Sequence, residues 1–328
     1  MGSTVKKIAL LSGGGDCPGL NAVIRTITKT AISKYGYEVI GFVYGYRGLY
    51  HNNYVELTEE SVEDIYKEGG TILYSSNKDN LFDYLVDDGH GGKVKKDVYD
   101  VPSVTIVEVM GRNAGWLTAA SALARIEGRK VPQLIYLCEK AFDEDQFIKD
   151  VNEALKKENN IIIAVSEGVK TADGNYVGEE TKSGKEDVFG HKYLSGVGKY
   201  LEGLVGEKIG CKVRSVELNI LQRCAGYMLS ETDIMESRNL GAFAAVSAIR
   251  GKSGKMSAVR RISDDPYQVE IVLSDLSKIA NYEKKVPMEW INEEGNDIKD
   301  ELLTYLKPLI QGEVQIPYEN GIPKRFIL

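Results

Sequence analysis

The sequence predicts an α/β fold built on mostly parallel sheets, and three observations carry that reading. Short β-branched runs alternate with segments of helical periodicity along most of the chain. Some of those runs, such as IIIAV at 161–165, are apolar on both faces, which suits strands covered by helices on both sides. Two runs stop at glycine just ahead of a helical segment. A doubly wound sheet places helix N-termini in that way along the carboxyl ends of its strands.

Taken in order, strands are expected at Lys7–Leu11, Glu38–Val43, Val104–Val109, Gln133–Leu137, Asn160–Val165, Lys212–Asn219, Gly254–Val259 and Gln268–Val272. Helical patterns fall at Gly19–Lys34, Ser61–Tyr66, Ala114–Ala124, Glu144–Lys157, Leu194–Leu204 and Met235–Arg250. Strands alternating with helices argue for βαβ units. The glycine- and charge-rich stretches 87–97 and 171–187 have no apolar period and are expected to be loops. At 328 residues the chain has material for one large domain or two lobes.

Composition narrows the class of function. Hydrophobic residues make up 43% and charged residues 27%, an ordinary globular balance. A net charge of -7 argues against nucleic acid as a partner. It leaves room for an anionic small substrate, because arginines can cluster locally in an acidic protein. No apolar run is long enough to span a membrane and no signal peptide is evident, so a soluble, cytoplasmic protein is expected. The cysteines (Cys17, Cys138, Cys211, Cys224) and histidines (His51, His90, His191) are scattered. That argues against a disulfide framework or a zinc site. Mg²⁺ remains open, since it needs only one or two carboxylates beside a substrate phosphate.

The first strand runs into Ser12-Gly13-Gly14-Gly15-Asp16, then Pro-Gly, then a helix. Glycines let the backbone approach a ligand with no Cβ in the way. Free N–H groups and the positive end of the helix dipole attract phosphate. Neither GxxxxGK[ST] nor GxGxxG fits this stretch. Asp16 would be repelled by a phosphate unless a cation mediates; its other reading is an N-cap. A second strand end, VEVMGRNAGW at 107–116, projects Arg112, a residue type that clamps phosphate bidentately. A third places Glu167 where a carboxylate can accept hydrogen bonds from sugar hydroxyls. The run KVRSVELNILQR supplies Arg214 and Arg223, and these four polar groups are expected to converge on one sheet edge.

The segments GGGDCPGLNAVIR, GYRGLY, VEVMGRNAGW, SEG and KVRSVELNILQRCA together resemble the phosphofructokinase family, and the likeness runs from the N-terminus to about Gly312. The resemblance implies two doubly wound lobes with the first shortened. They would be a donor-phosphate lobe at 1–115 and a sugar-phosphate lobe at 116–300, with a tail at 301–328 packing back. It implies phosphoryl transfer from diphosphate or ATP, with Mg²⁺, to fructose 6-phosphate, giving fructose 1,6-bisphosphate in glycolysis. By resemblance Gly14, Gly15 and Asp16 line the donor site, and Tyr46 lies near where a nucleotide base sits in ATP-using members. Met110, Gly111, Arg112 and Glu167 hold the sugar phosphate, with Arg112 also meeting transition-state charge. Arg214 and Arg223 reach the sugar's phosphate, one of them typically from a neighbouring subunit, which implies a homodimer or homotetramer.

The sequence also departs from the family. The GGDG and PKTIDND motifs occur nowhere in it. By resemblance GGDG holds the donor and Mg²⁺, and PKTIDND supplies the aspartate that acts as general base. Against the family's pattern, several dozen residues are missing between the GGT motif at 69–71 and the MGR motif at 110–112. The aspartates near that junction are Asp79, Asp83, Asp87, Asp88, Asp97 and Asp100. Tyr74 replaces a usual glycine, Asn77 an arginine and Ile220 a histidine. The expected alternatives to an active enzyme are a sugar-phosphate-binding paralogue and a shortened or recombined form of such an enzyme.

Overall fold

The computed structural model describes residues 6–76, 102–125, 130–178 and 196–324. The chain divides into two compact units, Met1–Val98 and Tyr99–Leu328. Asn77, the six junction aspartates, the 87–97 loop, the last part of the 171–187 loop and the first residues of the helix expected at Leu194 lie outside the described residues.

In the first unit β1 (Lys7–Gly13) leads to α1 (Leu20–Tyr35), β2 (Glu38–Phe42), α2 (Tyr46–Tyr50), β3 (Tyr54–Leu57) and β4 (Ser75–Ser76). The described strands form one sheet in the order β3-β2-β1-β4. Strand β1 runs parallel to β2 and β4, while β3 is antiparallel to β2. Helix α1 buries Asn21, Ile24, Thr28 and Ala31, one stripe at helical spacing. Ile24 and Ala31 pack with Val39, Leu57, Val62, Ile65 and Leu73. The helix stops at Gly36 (φ 63°), where Gly36 donates to the Ile32 carbonyl and Tyr37 to the Ala31 carbonyl. This crossed pair needs a left-handed residue, which glycine supplies without a Cβ penalty.

The helix expected at Ser61–Tyr66 is absent; that stretch holds only a short 3-10 turn at Ile65–Lys67. Thr58 and Ser61 exchange hydrogen bonds between backbone N–H and hydroxyl at 2.8 and 3.0 Å. Such local bonds give the backbone an alternative to a helix.

In the second unit come β5 (Ser103–Val109), α3 (Trp116–Ala120), β6 (Leu134–Tyr136), α4 (Glu144–Lys157), β7 (Asn160–Ser166), α5 (Val197–Lys208) and β8 (Lys212–Glu217). After them follow α6 (Asn219–Cys224), α7 (Glu231–Ile249), β9 (Lys255–Asp264), β10 (Tyr267–Asp275), α8 (Leu276–Ile279), α9 (Asp300–Leu306), β11 (Tyr318–Glu319) and β12 (Ile322–Pro323). The central sheet, in the order β6-β7-β5-β8, is parallel throughout. Val104, Ile106, Leu134, Tyr136, Ile161 and Ile163 face α4 and α5 through Phe147, Val151, Leu201 and Val205. Ile135, Leu137 and Ala164 face the other way, toward α3 and α9. Covering both faces is what makes the two-sided apolar runs necessary. Helix α4 carries the expected end signals: Asp143 accepts the Gln146 N–H as N-cap, Glu144 and Asp145 open the first turn, and Lys156 and Lys157 close the last.

Two expectations are corrected here. The resemblance puts Val104–Val109 in the lobe at 1–115, beside one of the N-terminal strands; strand β5 instead pairs with β7 and β8, a register that buries Val104 and Ile106 in the second unit. Strands β9 and β10 are not part of a parallel sheet and form an antiparallel two-stranded hairpin. The two residues between them leave no room for the crossover a parallel pair requires. No helix among the described residues is long and apolar enough to cross a membrane.

Candidate functional site

Polar groups gather at the carboxyl edge of the second unit's sheet. Val109 of β5 pairs with Ser166 of β7, and Glu108 with Glu217 of β8, so the three strands end level. Beyond them follow Met110-Gly111-Arg112, Glu167-Gly168, and Leu218 with α6. Gly111 donates its N–H to Glu167 Oε1 at 3.2 Å, and Ser166 Oγ donates to the Gly111 carbonyl at 3.0 Å. The Thr118 and Ser166 hydroxyls, both buried, lie 3.1 Å apart. Met110 donates its N–H to Gln222 Oε1 at 3.0 Å, and Arg223 Nε lies 3.4 Å from Met110 Sδ.

Two glycines allow this packing. At Gly111 (φ 154°) a Cβ would stand 2.7 Å from the Ala114 carbonyl oxygen, and at Gly168 it would stand 1.7 Å from the Arg112 carbonyl oxygen. The turns after β5 and β7 therefore touch backbone to backbone. That contact fixes where the half-buried Arg112 leaves the chain, and among the described residues its guanidinium has no ion pair.

Met110, Gly111, Arg112, Glu167 and Arg223 are thus brought to one edge. Arg214 is not. It sits exposed in the middle of β8 opposite Thr105, three positions short of the strand end at Glu217. At about 3.3 Å per residue that is roughly 10 Å from the edge. Sequence reasoning missed Gln222 and Gly168, although each adjoins a residue it had singled out.

Burial raises the pKa of Glu108, one strand position before the edge. Gly198 at the start of α5 opposes this by donating its N–H at 2.7 Å, while Glu217 and Glu167 add to the rise. Cys138 is no nucleophile in this setting, because burial pushes its thiol up to about 12.

In the first unit β1 ends at Gly13, and the turn runs through Gly14 (φ 95°) and Gly15, both exposed with open space where a Cβ would be. The N-cap of α1 is Gly19 (φ 100°), so Asp16 is not the cap. Its carboxylate lies beside Gly70, where a Cβ would be 3.1 Å from Oδ2, and among the described residues it has no hydrogen-bond or ion-pair partner. The Tyr46 ring borders the turn, 3.6 Å from where a Gly13 Cβ would stand. Among the described residues no group of three or more His, Cys, Asp and Glu side chains could hold a metal unaided.

A sequence profile described as Phosphofructokinase matches residues 7–90 and 92–249. The chain is 38% identical over 237 residues to the pyrophosphate–fructose 6-phosphate 1-phosphotransferase of Methylococcus capsulatus, covering 70% of this chain and 56% of that protein. The similarly named protein of Halomonas elongata is 39% identical over 221 residues and is covered over 52% of its length. The chain therefore spans about half the length of these curated relatives. It is 35% identical to the ATP-dependent 6-phosphofructokinase 2 of Clostridium perfringens over 300 positions, with 67% of this chain and 79% of that protein covered. Dozens of those positions consequently face no residue here. The crystal structure of the pyrophosphate-dependent phosphofructokinase from Marinobacter aquaeolei superposes with a TM-score of 0.58 at 22% identity, covering 98% of this chain and 95% of that one, a likeness of fold.

Proposed function

This chain belongs to the phosphofructokinase family, and from that premise we propose that it binds fructose 6-phosphate and is built for phosphoryl transfer to it from diphosphate or ATP. The observation that carries this reading is the Gly111–Glu167 hydrogen bond, which ties the turn bearing Arg112 to the strand end bearing Glu167. In this reading Arg112 and Arg223 meet the sugar phosphate and its developing charge. Glu167 keeps one carboxylate oxygen for sugar hydroxyls while the other holds Gly111, and Gln222 fixes Met110 against the ring. Phosphoryl transfer rests mostly on positioning and charge neutralisation, and this edge supplies both.

The donor's phosphates are assigned to the Gly14–Gly15 turn, which is exposed and has no side chain to keep a ligand from its backbone. The unpartnered Asp16 carboxylate fits a Mg²⁺ carried in by those phosphates, which would neutralise their charge. The donor role is then assigned to Met1–Val98 and the sugar-phosphate role to the unit from Tyr99, which holds Met110, Gly111 and Arg112, with residues 301–328 as its tail. Arg214 stands exposed on the outermost strand of its sheet, away from its own unit's edge. There it suits the sugar phosphate of a neighbouring subunit, in a cytoplasmic homodimer or homotetramer.

A second reading, a sugar-phosphate-binding paralogue with little turnover, is favoured by one observation: PKTIDND, the family's general-base segment, is missing from the sequence. Loss of a general base lowers rates by about 10² to 10⁴. The expected behaviour is weak binding of fructose 6-phosphate with poor turnover. Calorimetry with fructose 6-phosphate tests the shared claim, and no heat of binding would end both readings. A coupled assay for fructose 1,6-bisphosphate with each donor separates them, robust turnover marking the enzyme.

A further inference from the structure

The turn that carries Arg112 leans on two carboxylates. Before the arginine, Gly111 donates its N–H to Glu167, which follows β7. After it, Gly115 donates its N–H to Glu139 Oε1 at 2.9 Å. Glu139 follows β6, the neighbour of β7 in the sheet. Two adjacent strand ends therefore each send a carboxylate to the turn, one to either flank of Arg112.

Glu139 has a second task. The same oxygen accepts the Val286 N–H at 2.9 Å, so the carboxylate ties the turn to a segment far along the chain. Two further bonds join the same two pieces. Asn113 Nδ2 donates to Glu283 Oε1 at 2.7 Å, and Trp116 Nε1 donates to the Lys284 carbonyl at 2.7 Å. Val286 is buried in the core between the sheet, α3 and α9, which anchors the segment 283–286. The other Glu139 oxygen lies 3.5 Å from Cys138 Sγ, and burial keeps that thiol protonated, so that it donates. Bonds from backbone N–H groups to a carboxylate are among the stronger hydrogen bonds.

The fit is close on the backbone side as well. At Gly115 a Cβ would stand 2.7 Å from Glu139 Oε2 and 3.0 Å from Leu137 Cβ. A residue without a side chain is what lets the carboxylate reach the N–H. An arginine side chain gives up rotamer freedom on binding, and a fixed base keeps that cost from growing.

We infer that Glu139 is a positioning residue for the sugar phosphate: by holding Gly115 to Val286 it fixes where Arg112 leaves the turn, and it makes the segment 283–286 part of the site's framework. Glu139 acts through Arg112. The inference rests on the sugar-phosphate role proposed for that arginine.

The test is titration of the full chain with fructose 6-phosphate, followed by phosphorus NMR below the unfolding temperature. The proteins compared are the parent, Glu139→Ala, Arg112→Ala and the double variant. Glu139→Ala is expected to lower affinity about tenfold while Arg112 is present, the scale on which members of one network couple. In the Arg112→Ala background it is expected to cost nothing further, because no arginine is left to position. Glu139→Gln keeps an acceptor for both N–H groups and is expected to bind as the parent does. Should Glu139→Ala fail to fold, Glu283→Ala cuts the exposed tie to Asn113 and takes its place, with a smaller loss that again requires Arg112. Equal losses with and without Arg112 mark a general effect on the fold and overturn the inference. So does parent-like binding by Glu139→Ala, and in both cases the sugar-phosphate reading stands. A parent chain that does not bind fructose 6-phosphate overturns that reading and the inference with it.

Discussion

Glu167 accepts the Gly111 N–H at 3.2 Å, so the carboxylate that ends one strand is fastened to the turn that ends its neighbour. The bond gives Glu167 two separable duties, holding the turn and presenting an acceptor to a ligand.

Glu167→Ala removes both duties and leaves the Gly111 N–H without its partner, at a cost of about 1–3 kcal/mol when such a group is buried. Glu167→Gln keeps an acceptor for Gly111 and loses only the charge. Thermal unfolding is expected to separate the two variants, with Gln close to the parent and Ala below it. Calorimetry with fructose 6-phosphate is expected to show weakened binding in both. A Gln variant that binds as tightly as the parent would show that the carboxylate charge has no part in recognition.

Arg112 presents the opposite balance. Its guanidinium forms no ion pair among the described residues, so Arg112→Ala removes no stabilising bond. Unfolding is expected within about 0.5 kcal/mol of the parent, as for other substitutions that break no contact. Sugar-phosphate affinity should fall about tenfold to hundredfold, the loss of one charge-assisted contact of roughly 1.5–3 kcal/mol. Arg112→Lys keeps the charge and loses the two-pronged fork, so it should restore only part of the binding.

Glu108 sets a pH dependence of known sign. Burial, with Glu217 and Glu167 adding repulsion, raises its folded pKa above the ordinary 4.5. The folded state therefore holds the proton more tightly than the unfolded chain, and stability falls as pH rises from 4.5 through the raised value. Glu108→Gln keeps an acceptor for the Gly198 N–H and cannot ionise. Thermal melts at pH 5 and pH 8 are expected to show the variant gaining on the parent at the higher pH. A parent–variant difference that is the same at both pH values would exclude a buried carboxylate as the source.

The parts of this fold that could be read from sequence share a cause. Runs such as Ile161–Val165 are apolar on both faces because α4 and α5 cover one side of the sheet and α3 and α9 the other. Gly111 stood out as punctuation because the Ala114 backbone leaves no space for a Cβ, whereas Gly168, confined in the same way by the Arg112 backbone, was passed over. Arg214 was misplaced because a strand's sequence does not say how far along the sheet each residue lies; pairing with Thr105 decides that. Thr58 and Ser61 defeated the helix expected at Ser61 by bonds that periodicity does not register. Tyr44 and Tyr74 are 30 positions apart with nothing in their spacing to announce a contact, and their backbone angles run against local preference.

Gly168 offers the sharpest test of how the edge is assembled. An added Cβ would stand 1.7 Å from the Arg112 carbonyl oxygen, 2.4 Å from its carbonyl carbon and 2.7 Å from its Cα. All three are backbone atoms, so no side-chain rotation relieves the overlap, and the turn that carries Arg112 has to move. Forcing extra atoms into packed structure costs typically about 1–3 kcal/mol, and more when the backbone must shift. Gly168→Ala is therefore expected to lower the unfolding temperature. Calorimetry below that temperature should also show weaker binding of fructose 6-phosphate, because Arg112 and the Gly111 N–H are displaced together. Gly203, within α5, is the control, since nothing lies within 4 Å of where its Cβ would be. Gly203→Ala should stabilise the helix by about 0.5–1 kcal/mol and leave binding alone. If Gly168→Ala instead melted and bound like the parent, the backbone contact between the two turns would not be what positions Arg112.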